Sequence, residues 1–260
     1  MSLLLPAIIA VLLAAIAAGV VGVLAVSNRM VSLGGGLAHA AYGGVGLAFL
    51  AGWAPLPTTI AFTLAAALLV AFLVERSPER ADTLLGVVWA LGMAFGVICV
   101  DLSHSYAGDL QAILFGSLLA IPRTDLWALA FADLLLIAFA WRYRRGLLGL
   151  ALDPEFAEVA GFPVRWFRIA LLASLSVSVV LLMRVTGLVL LVALLSIPGA
   201  LGVRWTRGMG RAMFLSAALA ALFGLAGLGL SWWLDLSTGA CIIGVAGLTY
   251  LAVSLPKRTA

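Results

Sequence analysis

Apolar runs of about 20 residues, separated by short polar breaks, follow one another along most of this chain. Such a run spans the hydrocarbon core of a bilayer as an α-helix, because a helix closes all of its backbone hydrogen bonds internally. Only 10% of the residues are charged, against about 25% in an ordinary soluble domain. The alternating strands of a membrane β-barrel are absent from the sequence. The chain is therefore predicted to be an all-α membrane protein, a polytopic bundle of transmembrane helices.

We predict nine spanning helices, each placed between one polar break and the next. The first run has no charged segment before it and is longer than the apolar core of a signal peptide, so we interpret it as a span. A segment at 109–120 is too brief to cross and is expected to be re-entrant or interfacial. Eight spans, with one segment that does not cross fully, are the alternative. The predicted spans are residues 4–26, 37–54, 57–74, 83–101, 125–141, 167–186, 187–203, 212–232 and 238–255.

The positions of the basic residues predict the orientation, because cytoplasmic loops carry an excess of Lys and Arg. With the N-terminus outside and the C-terminus cytoplasmic, thirteen of the fifteen basic residues fall in cytoplasmic segments, and the other two are Arg123 and Arg184. This topology accounts for the basic net charge, so no nucleic-acid partner is required. The thirteen are Arg29, Arg76, Arg80, Arg142, Arg144, Arg145, Arg165, Arg168, Arg204, Arg207, Arg211, Lys257 and Arg258.

Only one predicted cytoplasmic loop, residues 142–166, is long enough to hold structure of its own. Within it, Asp153 suits the N-cap of a short helix and Pro154 its first position. Glu155 meets the positive end of the helix dipole, and Gly161 can adopt the left-handed conformation that ends a helix. The helix would expose Phe156 and two further apolar residues, Val159 and Ala160. It is either an interfacial helix lying on lipid headgroups or a docking element for a cytoplasmic partner.

The segment Asp153–Val164 resembles the coupling loop of the zinc, manganese and iron ABC-transporter permeases. Four further segments resemble motifs of the same family, in the family's order, so that the resemblance covers nearly the whole chain. These segments are Arg29–Ala40, Asp109–Gly116, Val185–Ala200 and Gly229–Ala240.

The resemblance implies a transport subunit that is not itself an enzyme and lies in a bacterial inner membrane as one permease domain, residues 1–260. It implies three protein partners: a cytoplasmic ABC ATPase, an extracytoplasmic solute-binding protein and a second permease copy. A divalent metal ion is the implied substrate, and no covalently bound cofactor is expected. The chain has no GxxxxGK[ST] phosphate-binding loop, and its only lysine is Lys257, so ATP would act through the partner alone. The implied coupling residues are Asp153, Pro154, Glu155, Phe156, Ala157, Glu158 and Gly161.

His39 is the first candidate for the transport path, at the predicted opening of the second span. Metal-importing relatives typically carry Asp at the position of Gly35, and an Asp and a His four residues apart lie on one helix face, where both can bind one ion. This chain has Gly34-Gly35-Gly36 instead, so half of that pair is missing. In the alternative interpretation, His39 hydrogen-bonds within the bundle and the glycines permit close helix approach.

Three further ionisable residues are candidates, because charged groups inside spans are costly and are retained for a function. Asp101 and His104 would share a helix face at the outer end of the fourth span, either as a receiving site for a cation or as a solvated helix end. Asp133 lies near the middle of its span and should face the bundle or a water cavity. Separately, Pro198 and Gly199 predict a break in the seventh span that frees backbone carbonyls.

Two other functions remain open at this stage. The absence of the acid at Gly35 favours an ABC permease for a non-metal cargo, such as a cofactor or a chelate. An ion-coupled secondary transporter would use Asp101 or Asp133 but would not need the capped cytoplasmic helix.

Overall fold

The computed structural model describes residues 4–76, 80–103 and 121–255. Within these ranges the chain is a bundle of α-helices, which we number in chain order. They are α1 (Leu4–Ser27), α2 (Val31–Ala51), α3 (Pro55–Arg76), α4 (Ala81–Ser103), α5 (Arg123–Arg142), α6 (Arg144–Leu152), α7 (Pro154–Val159), α8 (Val164–Thr186), α9 (Leu188–Trp205), α10 (Met209–Leu234) and α11 (Thr238–Ser254).

Each of the nine predicted spans coincides with one of these helices. Eight of the described helices, α1–α5 and α8–α10, are long and apolar enough to cross a membrane. The helix α11 is apolar but has 17 residues, which is about the shortest length that crosses the hydrocarbon core. The predicted helix at 109–120 lies outside the described residues.

One predicted boundary is wrong in a way that affects the site. The second span was expected to begin at residue 37, but α2 begins at Val31 and continues through Gly34, Gly35 and Gly36. A glycine costs a helix roughly 1 kcal/mol in water, but in a bilayer no water competes for the backbone hydrogen bonds, so the helix persists. His39 therefore lies two turns inside α2 and does not open it.

The helix α1 runs through the centre of the bundle, with α5, α8, α9 and α10 packed around it. Its buried side chains are mostly alanine and valine, and small residues let neighbouring backbones approach closely. A Cβ added at Gly19 would lie 2.5 Å from the Cβ of Ala217 on α10, so no side chain fits at that crossing.

A second close seam joins α2 to α4. A Cβ at Gly92 would lie 2.7 Å from the Cα of Ala40, and one at Gly43 would lie 2.8 Å from the carbonyl oxygen of Gly92. By contrast, Gly86 on α4 has no neighbouring atom within 4 Å of its Cβ position. The α2–α4 seam therefore depends on particular glycines in both helices.

The predicted helix break at Pro198 and Gly199 is wrong: α9 is continuous from Leu188 to Trp205, with Pro198 inside it. Proline lacks an N–H, so it removes only one of the intrahelical hydrogen bonds, and the surrounding packing holds the helix together. A Cβ at Gly199 would lie 2.8 Å from the backbone of Gly22 on α1. Gly199 and Gly22 together permit the close crossing of α1 and α9.

Candidate functional site

His39 is half-buried on α2, and its ring is held by two contacts. Its Nδ1 lies 2.8 Å from the carbonyl oxygen of Gly35, one turn earlier. Because a carbonyl only accepts hydrogen bonds, Nδ1 carries the proton and donates it, and Nε2 of the neutral ring is left with its lone pair. A second shell of this kind orients imidazole ligands in metal sites. Nε2 is therefore the atom of His39 that can accept a proton or bind a cation.

The second contact of His39 comes from α4. The ring of Trp89 lies with its centroid 4.1 Å from that of the imidazole, at an angle of 40°. The indole Nε1 of Trp89 is engaged elsewhere, 3.3 Å from the sulfur of Met93. Trp89 could not be found from the sequence, since 50 residues separate it from His39 and only the α2–α4 packing brings them together.

Gly35 stands where an Asp was expected, and the space around it shows what a side chain at this position would contact. A Cβ at Gly35 would meet Val192 at 3.7 Å, and one at Gly36 would meet Leu85 at 3.7 Å, both ordinary van der Waals contacts. In the alternative interpretation His39 hydrogen-bonds within the bundle; the hydrogen bond that the structure shows runs to Gly35 of its own helix. Gly35 and Gly36 do not make the close helix approach. The close approach of α2 to its neighbours occurs further along the helix, at Gly43, Gly44 and Gly46.

A cavity of about 550 Å³ opens at the first turn of α2, between α2, α3, α4 and α8. Leu33 and Leu85 line it, so it ends beside Gly36, about one turn before His39. Its polar lining carries both signs of charge, from Arg29, Glu75, Asp82 and Arg168. Arg168 Nη1 lies 3.6 Å from Glu75 Oε1, an ion pair that joins α8 to α3 across the cavity.

Asp101, another predicted path residue, does not join His39. Asp101 is exposed in the last turn of α4, twelve residues beyond Trp89, a separation of about 18 Å along a helix. Its predicted partner His104 lies outside the described residues. In the part of the chain that the structure describes, no group of three or more His, Cys, Asp or Glu side chains is placed to hold a metal ion.

Asp133 faces the bundle interior as predicted, with 3% of its surface exposed. It lies on α5, which packs against α1 and α8. Both of its carboxylate oxygens are buried and have no hydrogen-bond partner among the described residues. A buried carboxylate without a partner is costly, so its retention in the centre of a span marks it as a functional candidate.

A partly buried ion pair joins the same helix to α8, and the sequence did not predict it. Asp125 Oδ2, in the first turn of α5, accepts a hydrogen bond from Nε of Arg184 on α8 at 2.9 Å. Nη2 of Arg184 also lies 2.9 Å from Oδ2, as an ion-pair contact. Arg184 was one of only two basic residues predicted outside, and the pair explains how its charge is accommodated. Two such residues, 59 positions apart, cannot be matched from spacing alone.

The capped helix of the loop 142–166 forms as predicted, as α7. Asp153 Oδ1 accepts from the N–H of Phe156 at 2.9 Å, Pro154 occupies the first turn, and Gly161 has φ of 85°. Phe156 and Val159, three residues apart on one face, are 70% and 88% exposed. The segment before it, predicted to be a loop, is the helix α6.

The opposite side of α7 is attached to the bundle. Ala157 is buried, and its Cβ lies 3.1 Å from the position that a Cβ would take at Gly149 on α6. α6 in turn packs against α8, where the ring of Phe167 fills the space beside Gly146. α7 is therefore packed against the bundle on one side, and its apolar outer face is exposed to solvent.

Known proteins and a protein family resemble this chain over nearly its whole length. A model of the ABC 3 transport family matches residues 1–257. The chain is 40% identical over 252 residues to an uncharacterized membrane protein of Synechocystis sp., covering 97% of this chain and 89% of that protein. It is 29% identical over 245 residues to the manganese transport system membrane protein MntC of Listeria innocua, covering 94% and 87%. Among solved structures it is similar to PsaBC from Streptococcus pneumoniae in complex with Fab, with 27% identity and a TM-score of 0.89, covering 99% of this chain and 93% of that chain.

Proposed function

Because this chain belongs to the ABC 3 transport family, we propose that it is the membrane permease of an ATP-driven importer of divalent metal ions. The observation that carries the proposal is α7, a capped helix that presents Phe156 and Val159 to solvent outside the membrane spans. An ion-coupled secondary transporter would not need this element. A cytoplasmic ATPase would cover it.

The position of α7 supports a role in coupling. The chain passes from α7 through Gly161 directly into α8, whose first turns carry Arg168. Arg168 reaches Glu75 at the end of α3 and lines the cavity below His39. A displacement of α7 by the ATPase would therefore be transmitted through α8 to the walls of that cavity.

The proposed path passes His39, whose Nε2 is the available ligand atom, and leaves by the cavity of about 550 Å³. Asp101, in the last turn of α4, would receive the ion, with His104 three residues further along the chain as its predicted partner, and Asp133 is a further acid within the bundle. Manganese is the cargo named for MntC of Listeria innocua, which supports a divalent metal here. With Gly35 in place of an acid, His39 needs additional ligands from a second copy of the chain or from the binding protein.

The orientation and the assembly belong to the same proposal. The N-terminus lies outside and the C-terminus in the cytoplasm, which places α7 and the cavity on the ATPase side. The partners are an ABC ATPase, which alone binds ATP, an extracytoplasmic binding protein and a second permease copy. A cysteine introduced at Val159 should react with a membrane-impermeant maleimide in inverted vesicles and not in intact spheroplasts. The opposite pattern would reject this orientation.

The coupling role is tested by uptake of ⁵⁴Mn²⁺ and ⁶⁵Zn²⁺ into cells that carry the whole importer. Truncation of an aromatic anchor in an interface costs about 2 kcal/mol or more, so Phe156→Ala should lower uptake more than tenfold. The matched control is Phe131→Ala, which removes a 64% exposed phenylalanine from α5 and should leave uptake unchanged. Equal effects of the two substitutions would contradict the coupling role.

A second candidate function is supported by Gly35, where a ligand is missing: a permease for a metal chelate or an organic cofactor. Elemental analysis of the binding protein, purified with its native cargo, distinguishes the two. Stoichiometric manganese, zinc or iron without an organic ligand supports metal import. An organic ligand would reject the metal ion as cargo and leave the importer assignment intact.

A further inference from the structure

A groove of about 500 Å³ lies between α1, α5 and α10. Its walls are apolar and consist of residues such as Ile16 and Val20 of α1, Ile137 of α5, and Met213 of α10. Among the described residues that line it, Arg144 is the only charged one. The groove shares no lining residue with the cavity near His39.

The groove runs along the membrane normal from one end of the spans. Arg144 lies directly after α5, and Gly210 lies in the first turn of α10, so both mark the mouth. The inner wall reaches Ala218 on α10, eight residues from Gly210, which corresponds to a depth of about 12 Å at 1.5 Å per residue. A narrow apolar channel of this depth fits an extended hydrocarbon chain.

The mouth has an excess of positive charge. Arg144 is exposed and has no carboxylate within ion-pair distance among the described residues. Arg142 and Arg145 flank it in the chain, and Arg211 follows Gly210 at the start of α10. Basic pockets between transmembrane helices, at the level of the headgroups, bind anionic lipids, and a guanidinium can donate two hydrogen bonds to one phosphate.

From this arrangement we infer that the groove binds one anionic phospholipid, with its phosphate on Arg144 and an acyl chain along α1, α5 and α10. The lipid connects the end of α5 to the first residue of α6, and α6 carries α7. It therefore stabilises the base of the helix that protrudes from the bundle. An apolar partner without an anionic group would leave Arg144 without a counter-charge.

The test compares binding of phosphatidylglycerol and phosphatidylcholine with identical acyl chains to the delipidated full-length protein, titrated by native mass spectrometry. The wild type should prefer phosphatidylglycerol. Loss of one basic contact near a membrane surface lowers the affinity for an anionic lipid about fivefold, so Arg144→Gln should remove most of the preference. Arg145→Gln removes the same charge from an exposed arginine that does not line the groove; as the control, it should cost clearly less of the preference than Arg144→Gln does. Ala218→Phe, which fills the inner end, should weaken the binding of both lipids.

Three results would overturn the inference: equal affinity of the wild type for both lipids, equal losses in Arg144→Gln and Arg145→Gln, or unchanged binding in Ala218→Phe. If Arg144→Gln fails to fold, Arg144→Lys, which keeps the charge, replaces it. The lipid titrations of the wild type and of Ala218→Phe then still test the inference. Disulfide cross-linking of two copies through Ala218→Cys in native membranes would identify a second chain as the occupant and would also overturn it.

Discussion

The N-cap of α7 offers a substitution whose effect can be worked out from one hydrogen bond. α7 has six residues, and an isolated helix of this length is not stable in water. It is held by the Asp153 cap, by Gly161 at its end and by the contact of Ala157 with α6. Asp153→Ala removes the acceptor of the 2.9 Å bond from the N–H of Phe156, at a cost of about 1 kcal/mol.

A loss of about 1 kcal/mol lowers the ratio of ordered to disordered α7 about fivefold. If only ordered α7 binds the ATPase, the affinity of permease for ATPase falls in proportion to the ordered fraction of α7, by at most this factor. The control is Asp153→Asn, because asparagine is as good an N-cap as aspartate but carries no charge. It should bind the ATPase within about twofold of the wild type, allowing for the weaker dipole interaction.

The assay is titration of the ATPase onto the permease in nanodiscs, with ATP turnover measured on the same samples. Equal losses of ATPase affinity in the alanine and asparagine variants would refute the reasoning. The affinity would then depend on the charge of Asp153 and not on its hydrogen bond to the N–H of Phe156. Wild-type affinity in both variants would show that the order of α7 does not limit binding.

The remaining predictions concern stability, measured as thermal unfolding in detergent. Arg184→Gln leaves the buried carboxylate of Asp125 unpaired and should lower the unfolding free energy by about 3 kcal/mol, and adding Asp125→Asn should recover most of it; no recovery would argue against the pair. Gly92→Ala should cost about 1–3 kcal/mol by overpacking the α2–α4 seam, whereas Gly86→Ala on the same helix should stabilise it slightly; similar effects of the two would reject the close seam. Asp133→Asn should not lower the melting temperature, because its carboxylate has no partner among the described residues to lose; a clear decrease would reveal one.

Much of the fold was predictable because the bilayer imposes a simple rule on sequence. A helix that must cross hydrocarbon needs a long apolar run, so each of the nine spans could be placed without a structure. Asp153, Pro154 and Gly161 predicted α7 for a similar reason, since caps act within a few residues of each other. Gly34, Gly35 and Gly36 misled the assignment of α2, because the breaking strength of glycine applies in water.

The sequence by itself determined the class of protein, the helix order, the capped α7 and the burial of Asp133, all of which depend on local pattern or on solvent. The tertiary structure decided which residues meet: Trp89 with His39, Arg184 with Asp125, and the groove beneath Arg144. These contacts join residues tens of positions apart on helices that are nearly uniform in hydrophobicity. The apolar pattern says that such helices are buried but not against which neighbour, and only the packing of small residues at their crossings specifies that.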